Sequence, residues 1–404
     1  MSRRAVLWIA FAVVHVGVAV LGFVLPNQPM GDVTNVYEPW STQALEGRGI
    51  VGITEPWVYP QLALLPMVLA HAFAWISGYL VAWAILVTLC DALAFAMLIG
   101  RARSTGRWIG GWYWLVFIAA LGPVGMYRLD GITVPLALAG SLWFVGRPWL
   151  GSVLLGAATW IKVWPAALLA AALIAVRRRL AVLGGAAVLS AAIIAVVIVA
   201  GGAANLFGFV TDQADRGLQL EAPVSAFYLW RAVAGIQGSF IYYDQDLLTF
   251  QVTGPEVDPL IALMTPVLVV AVTAVAALGA YKAWRGATFA SLYPNLALGL
   301  VLAFIVFNKV GSPQYLTWIV APIVVGLVID RRGWWKPAVL GLVAAGLTFW
   351  VYPGMYAGLL RAEAWPAAVL TLRNAVLAAM LVWIVVRLVR VPEHHRAGLP
   401  SRLA

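Results

Sequence analysis

Apolar residues follow one another through this chain in runs of about 15 to 25, from Ala5–Leu25 to the stretch ending at Arg390. Runs of that length cross a hydrocarbon core. Inside lipid the backbone must bond within its own segment, so the pattern predicts helices. No ten-residue alternation of a membrane barrel appears. The pattern therefore predicts an all-α polytopic membrane protein. It is irregular in two places. Gln61–Ser77 is apolar but opens on Tyr59-Pro60, and the run from Gly151 to Val176 is interrupted by Lys162-Val163-Trp164-Pro165.

Charge resolves both irregularities. Cations cluster at Arg3–Arg4, at Arg101, Arg103 and Arg107, at Arg147 and at Arg177–Arg179. Further clusters are Lys282 with Arg285, Arg331, Arg332 and Lys336, and finally Arg387, Arg390, Arg396 and Arg402. The positive-inside rule puts all of these on one side. It does so with about twelve spans, at 5–25, 79–100, 108–125, 131–147, 150–163, 165–177, 180–201, 258–282, 288–307, 315–330, 337–353 and 366–390. Both termini are then cytoplasmic in the plasma membrane. All but three of the 16 acids (Asp91, Asp330, Glu393) fall on the opposite side. Gln61–Ser77 must lie along the outer interface, and Gly151–Val176 must be two short helices. A topology in which both cross outright strands Lys162 near mid-bilayer, at about 2.5–3.5 kcal/mol on insertion scales. Residues 1–390 thus form one integral-membrane domain with outer loops 26–78 and 201–258, and 391–404 form a polar cytoplasmic tail.

Composition agrees: 63% of residues are hydrophobic and 10% charged, against roughly 25% charged in soluble domains. The net charge of +10 is accounted for by the orienting clusters and implies no nucleic-acid partner. A single cysteine, Cys90, excludes a disulfide framework or cysteine metal site. No A-x-A-like cleavage site follows the first run, which reads as a retained helix.

The candidate chemistry gathers at the outer ends of the spans. Residues 30–66 hold Asp32, Glu38, Glu46 and Glu55 with one cation, Arg48, interleaved with Tyr37, Trp40, Trp57 and Tyr59. This mixture suits holding a polyhydroxylated substrate and deprotonating it. It also fits a solvated loop with an aromatic belt. Arg128 and Asp130 lie in one short outer loop, Lys162 at the interruption, and Lys309, Ser312, Gln314 and Tyr315 in another loop. The cations suit a phosphate, but Lys162 and Lys309 equally suit snorkelling, and Arg128 with Asp130 a structural ion pair. Asp91, within a span, needs a partner or a proton; a buried structural hydrogen bond is expected. His15 and His71 read as core or interfacial groups. Asp244-Gln-Asp246 has the D-x-D form that leaves a divalent metal open without supporting one; no cofactor is otherwise indicated.

Asp32, Tyr37, Gly47, Gly49 and Tyr59-Pro60-Gln61-Leu62 together resemble the first outer loop of GT-C integral-membrane glycosyltransferases. Trp160-Ile-Lys-Val-Trp-Pro165 and Ser312-Pro-Gln-Tyr-Leu-Thr-Trp318 are most similar to glycosyltransferase family 87, which includes polyprenyl-phosphomannose-dependent mannosyltransferases of actinobacterial phosphatidylinositol mannosides and lipomannan. Gln61 departs from the family, which often has a second proline there. The resemblance implies a GT-C-like fold with juxtamembrane helices in the first outer loop. It also implies inverting transfer of a sugar, mannose in that family, from a polyprenyl-phosphate donor to a phosphatidylinositol-mannoside-like glycolipid acceptor. Asp32 would be the base, with Lys162, Lys309 and Arg128 on the donor phosphate. Sugar and acceptor would contact Tyr37, Glu38, Trp40, Trp57, Tyr59, Asp130, Gln314 and Tyr315. The alternative from another class is a transporter or flippase of a lipid-linked sugar, which would show polar residues distributed through the membrane depth.

Overall fold

The computed structural model describes residues 2–211, 216–245 and 247–393. Helix α1 (Arg3–Val24) starts at Ser2, whose hydroxyl accepts the Ala5 N–H at 3.2 Å and caps the first turn. The first long loop carries α2 (Glu38–Leu45) and α3 (Leu64–Ala70). Next come α4 (Tyr79–Ile99), α5 (Thr105–Leu121), α6 (Asp130–Trp143), α7 (Pro148–Ile161), α8 (Ala166–Ala175) and α9 (Arg179–Val199). The second long loop holds α10 (Ala226–Val233) and an antiparallel hairpin, β1 (Phe240–Asp244) with β2 (Thr249–Thr253). The chain ends with α11 (Val257–Trp284), α12 (Phe289–Val306), α13 (Val320–Ile329, entered through the 3-10 turn Pro313–Ile319), α14 (Arg331–Phe349) and α15 (Ala364–Val389).

Among the described residues, seven helical segments are long and apolar enough to cross a membrane: α1, α4, α9, α11, α12, α15 and Arg331–Gly354, which contains α14. The fold is that of a helical membrane protein. Burial divides its helices by position: 72% of the apolar window of α12 is enclosed, against 11% for α11. Helices α12 and α13 supply much of the main core, packed against α5, α6, α8 and α15. At the periphery Val13, Leu180, Val199 and Val270 point outward, which costs nothing when the solvent is hydrocarbon. Association then depends on close contact, as at the crossing of α6 and α7. A Cβ on Gly140 would lie 2.8 Å from the Gly151 carbonyl oxygen, and one on Gly151 2.7 Å from that of Gly140.

Helices occupy the ranges read as spans, and the interruption at Lys162 is real. Lys162 is extended (φ −155°, ψ 137°) between α7 and α8, since Pro165 has no N–H to continue the ladder and disfavours helix before it. Gln61–Ser77 is broken into short 3-10 and α turns ending at Gly78. The side chain of Gln61 donates to the carbonyls of Asn205 (3.1 Å) and Leu206 (3.2 Å), joining the two long loops. The hairpin was not expected, and it qualifies the all-α reading. Asp91 has the partner its position demanded: His15 Nε2 at 3.1 Å, with His15 Nδ1 bonded to the Phe11 carbonyl at 2.9 Å.

Candidate functional site

Two cavities adjoin where the loops converge. The larger, about 850 Å³, is the more polar of the two, with Asp32, Trp40, Arg128, Gln219, Glu221 and Gln314 among its wall residues. The smaller, about 330 Å³, is mainly apolar, walled by Phe209, Met264, Leu268, Phe304 and Phe307, and carries Lys162, Lys309 and Tyr315. Val58, Tyr59, Arg216 and Ser312 belong to both and form the wall between them.

Asp32 follows α1 after a short loop tied across the protein. Asn27 Nδ2 donates to the Pro353 carbonyl at 2.7 Å, and the Tyr352 hydroxyl donates back to the Asn27 carbonyl at 3.0 Å. The Asp32 carboxylate, 35% exposed, is ion-paired with Arg128. The loop bearing Arg128 is fixed by two buried contacts. The Leu129 N–H donates to the Tyr37 hydroxyl at 3.1 Å, and Trp83 Nε1 donates to the Tyr127 carbonyl at 3.0 Å.

Arg128 and Asp130, for which an ion pair with each other is one of the two readings from sequence, are instead paired crosswise. Arg128 takes Asp32, while Asp130, fully buried, accepts from Lys162 Nζ at 2.6 Å and from Trp318 Nε1 at 2.5 Å. Groups two residues apart at a helix start do not face each other, so each finds a partner elsewhere. Trp318 also stacks on Trp164 (5.6 Å, 8°) and Tyr315 (4.0 Å, 23°), and Lys162 sits 5.3 Å from the Tyr315 ring centre. The interruption at Lys162 and the Ser312–Trp318 turn, far apart in sequence, thus form one aromatic and ionic knot beneath the smaller cavity.

Of the expected site residues, Asp32, Arg128, Trp40, Tyr59 and Gln314 line the larger cavity; Lys162, Lys309, Tyr59 and Tyr315 line the smaller. Tyr37, Glu38, Trp57 and Asp130 line neither. Tyr37 is buried and holds the Arg128 loop. Trp57 is buried edge-on to Trp40 and Tyr59 (5.5 and 5.7 Å). Glu38 opens α2, half-buried. Asp130 is sealed behind Lys162 and Trp318.

Sequence reasoning missed Arg216, Glu221, Tyr352 and Tyr356. Arg216 stands in the dividing wall with its Nε buried and without a partner among the described residues. Glu221 is buried, and its Oε1 accepts the Tyr356 hydroxyl at 2.7 Å. Burial pushes its carboxyl above the ordinary range, and the Tyr356 hydrogen bond offsets this only in part. Its place among several acids of a long loop gave no signal. The segment carrying it is pinned: the Gln219 N–H donates to the Lys309 carbonyl and the Leu220 N–H to the Phe250 carbonyl, each at 3.0 Å. Gly311 lies so close that a Cβ there would be 2.4 Å from the Ala222 nitrogen. Burial likewise raises the Tyr59 phenol, with Lys162 pulling the other way, so it stays a neutral hydrogen-bond donor at physiological pH.

Among the described residues no three His, Cys, Asp or Glu side chains converge on a metal position. Asp244 ends β1, where Leu247 N–H (3.0 Å) and Gln251 Nε2 (2.8 Å) donate to it; Asp246, Asp212 and Asp215 lie outside the described residues. Comparison with family models, curated proteins and solved structures finds no match to this chain.

Proposed function

We propose that this protein is a glycosyltransferase of the GT-C kind, moving a sugar, mannose by resemblance, from a polyprenyl-phosphate donor to a glycolipid acceptor. In this reading about twelve spans put both termini in the cytoplasm and the cavities at the outer face of the plasma membrane. The supporting observation is the pairing of chambers: a more polar one holding Asp32 beside a mainly apolar one holding Lys162 and Lys309, with a common wall of side chains.

The donor's prenyl chain would occupy the apolar chamber and its phosphate would meet Lys162, Lys309 and Arg216. The acceptor would occupy the polar chamber. Asp32 takes the proton of the acceptor hydroxyl as its oxygen bonds to the anomeric carbon. The bond from that carbon to the phosphate oxygen breaks on the opposite side, inverting the centre. The departing phosphate gains negative charge, which fixed cations stabilise most. Arg128, ion-paired with Asp32, holds that carboxylate in place. Holding both amphiphiles at adjoining sites supplies proximity.

The test is incubation of purified protein with radiolabelled polyprenyl-phosphomannose and a lipid acceptor. A larger glycolipid is expected. Asp32→Asn should fold normally and form none. Donor movement between leaflets without any product would instead establish a flippase, and near-normal turnover in Asp32→Asn would remove Asp32 as the base.

A further inference from the structure

Glu221 shares the larger cavity with Asp32; among the described residues no cation is in salt-bridge contact with its side-chain oxygens, although the Arg373 guanidinium lies near enough to act on it. Glu221 is 2% exposed, and its Oε1 accepts the Tyr356 hydroxyl at 2.7 Å. Its main-chain carbonyl accepts Arg373 Nη2 at 3.0 Å, so side chain and backbone are both held. Its Oε2 is buried and has no hydrogen-bond partner among the described residues. A buried acceptor left unmatched is costly, and one held in place on a cavity wall is positioned for a ligand's donor.

The surroundings select that donor. An ionised phosphate has no proton to donate to a carboxylate oxygen, and of the two arginines on the lining, Arg128 is already paired with Asp32 while Arg216 stands in the dividing wall. A divalent cation would need further oxygen ligands, and among the described residues no third acid or imidazole joins. The remaining fit is a neutral hydroxyl. The wall beside Glu221 carries Tyr352 and Tyr356, edge to face at 4.9 Å, with Trp40 elsewhere on the lining. Aromatic faces beside a fixed acceptor suit a ring that bears several hydroxyls on an apolar underside.

We propose that Glu221 Oε2 accepts a hydrogen bond from a ring hydroxyl of a carbohydrate headgroup, making the larger chamber a polyol-recognition site. Identifying that headgroup as the acceptor's rests on the sugar-transfer reading; the binding itself does not. Glu221 is here a binding residue, separate from the proton transfer assigned to Asp32.

Full-length protein in nanodiscs is titrated with methyl α-mannopyranoside, followed by saturation-transfer NMR, with triethylene glycol as a control lacking ring hydroxyls. Wild type is expected to saturate with the mannoside and not with the control. Glu221→Gln, which presents an NH₂ in place of an acceptor oxygen at one of the two positions, should bind roughly tenfold more weakly. Thermal unfolding checks that it is folded. If it fails to fold, Glu221→Asp decides, since the shorter side chain withdraws the oxygen while keeping the carboxyl group. No mannoside binding by wild type overturns the proposal, as does wild-type affinity in the folded variant. The transfer assay runs on the same preparations. Failure of transfer with mannoside binding intact counts against the enzyme alone, while unchanged binding in the variant counts against Glu221 alone.

Discussion

Replacing Lys162 by Met isolates a buried carboxylate. Asp130 is fully enclosed, its two oxygens bonded to Lys162 Nζ at 2.6 Å and Trp318 Nε1 at 2.5 Å, and the Lys162 side chain is itself only 13% exposed. Removing the ammonium leaves one oxygen without a partner and the charge without compensation. Breaking a buried pair from one side costs about 3–5 kcal/mol. Asp130→Asn should cost less, about 1–3 kcal/mol, because Lys162 borders the smaller cavity and can turn its charge into it. The double variant Lys162→Met/Asp130→Asn should recover part of the loss, a coupling of about 1–3 kcal/mol. Unfolding in mixed micelles of rising dodecyl sulfate content, followed by tryptophan fluorescence, measures all three; Trp164 and Trp318, stacked at 5.6 Å, report on the site itself. A Lys162→Met protein within about 1 kcal/mol of wild type, or a cycle without coupling, would refute the knot as a structural unit and leave Lys162 to the ligand alone.

Three further expectations follow from other parts of the molecule. Because burial raises the Glu221 carboxyl above its unfolded value, the protonated form favours the native state. Its contribution is complete below the ordinary glutamate range and is lost as pH rises through the raised value. The melting-temperature difference between wild type and Glu221→Gln should therefore shift against wild type as pH increases from about 4 towards neutrality, and a difference independent of pH would count against a buried, titrating Glu221. Gly311→Ala drives a methyl into the Ala222 backbone, where the Cβ would meet the nitrogen at 2.4 Å; a loss of about 1–3 kcal/mol should appear in the same unfolding assay, and a neutral result would mean that the two segments are not fixed against each other. In the Asp91–His15 pair, the Phe11 carbonyl can only accept, so His15 Nδ1 carries a proton and Nε2 shares the second with Asp91. Asp91→Asn, able to donate to Nε2, should stay within about 1 kcal/mol of wild type, and Asp91→Leu should lose about 1–3 kcal/mol; equal losses would refute a single shared proton.

What could be read from sequence was set by local physics. Helix positions and the interruption at Lys162 follow from runs of apolar residues, charge placement and Pro165, each of which acts over a few neighbours. Asp91 announced its need for a partner because a lone acid in a span cannot go without one, although nothing near it pointed to His15. The pairing of Arg128 with Asp32 and of Asp130 with Lys162 was not legible. Adjacent opposite charges imply a pair in sequence, while side-chain direction at the start of α6 sends them apart. The hairpin Phe240–Thr253 was missed because its exposed residues follow no clean alternation; the burial of β1 is irregular along its length. Glu221 and Arg216 owe their significance to a loop's path through space, which composition does not encode.

The wall shared by the two cavities is built from Val58, Tyr59, Arg216 and Ser312, contributed by three separate loops and by none of the long helices. Joining the compartments would mean moving these loop side chains, Tyr59 against its ring neighbours Trp40 and Trp57 among them, with no demand on the long helices. Such side-chain motion takes picoseconds to nanoseconds when unhindered, whereas rearranging close-packed helices takes microseconds or longer. In the proposed transfer, a donor in the apolar chamber and an acceptor in the more polar one would then meet across loop side chains, with no helix required to move.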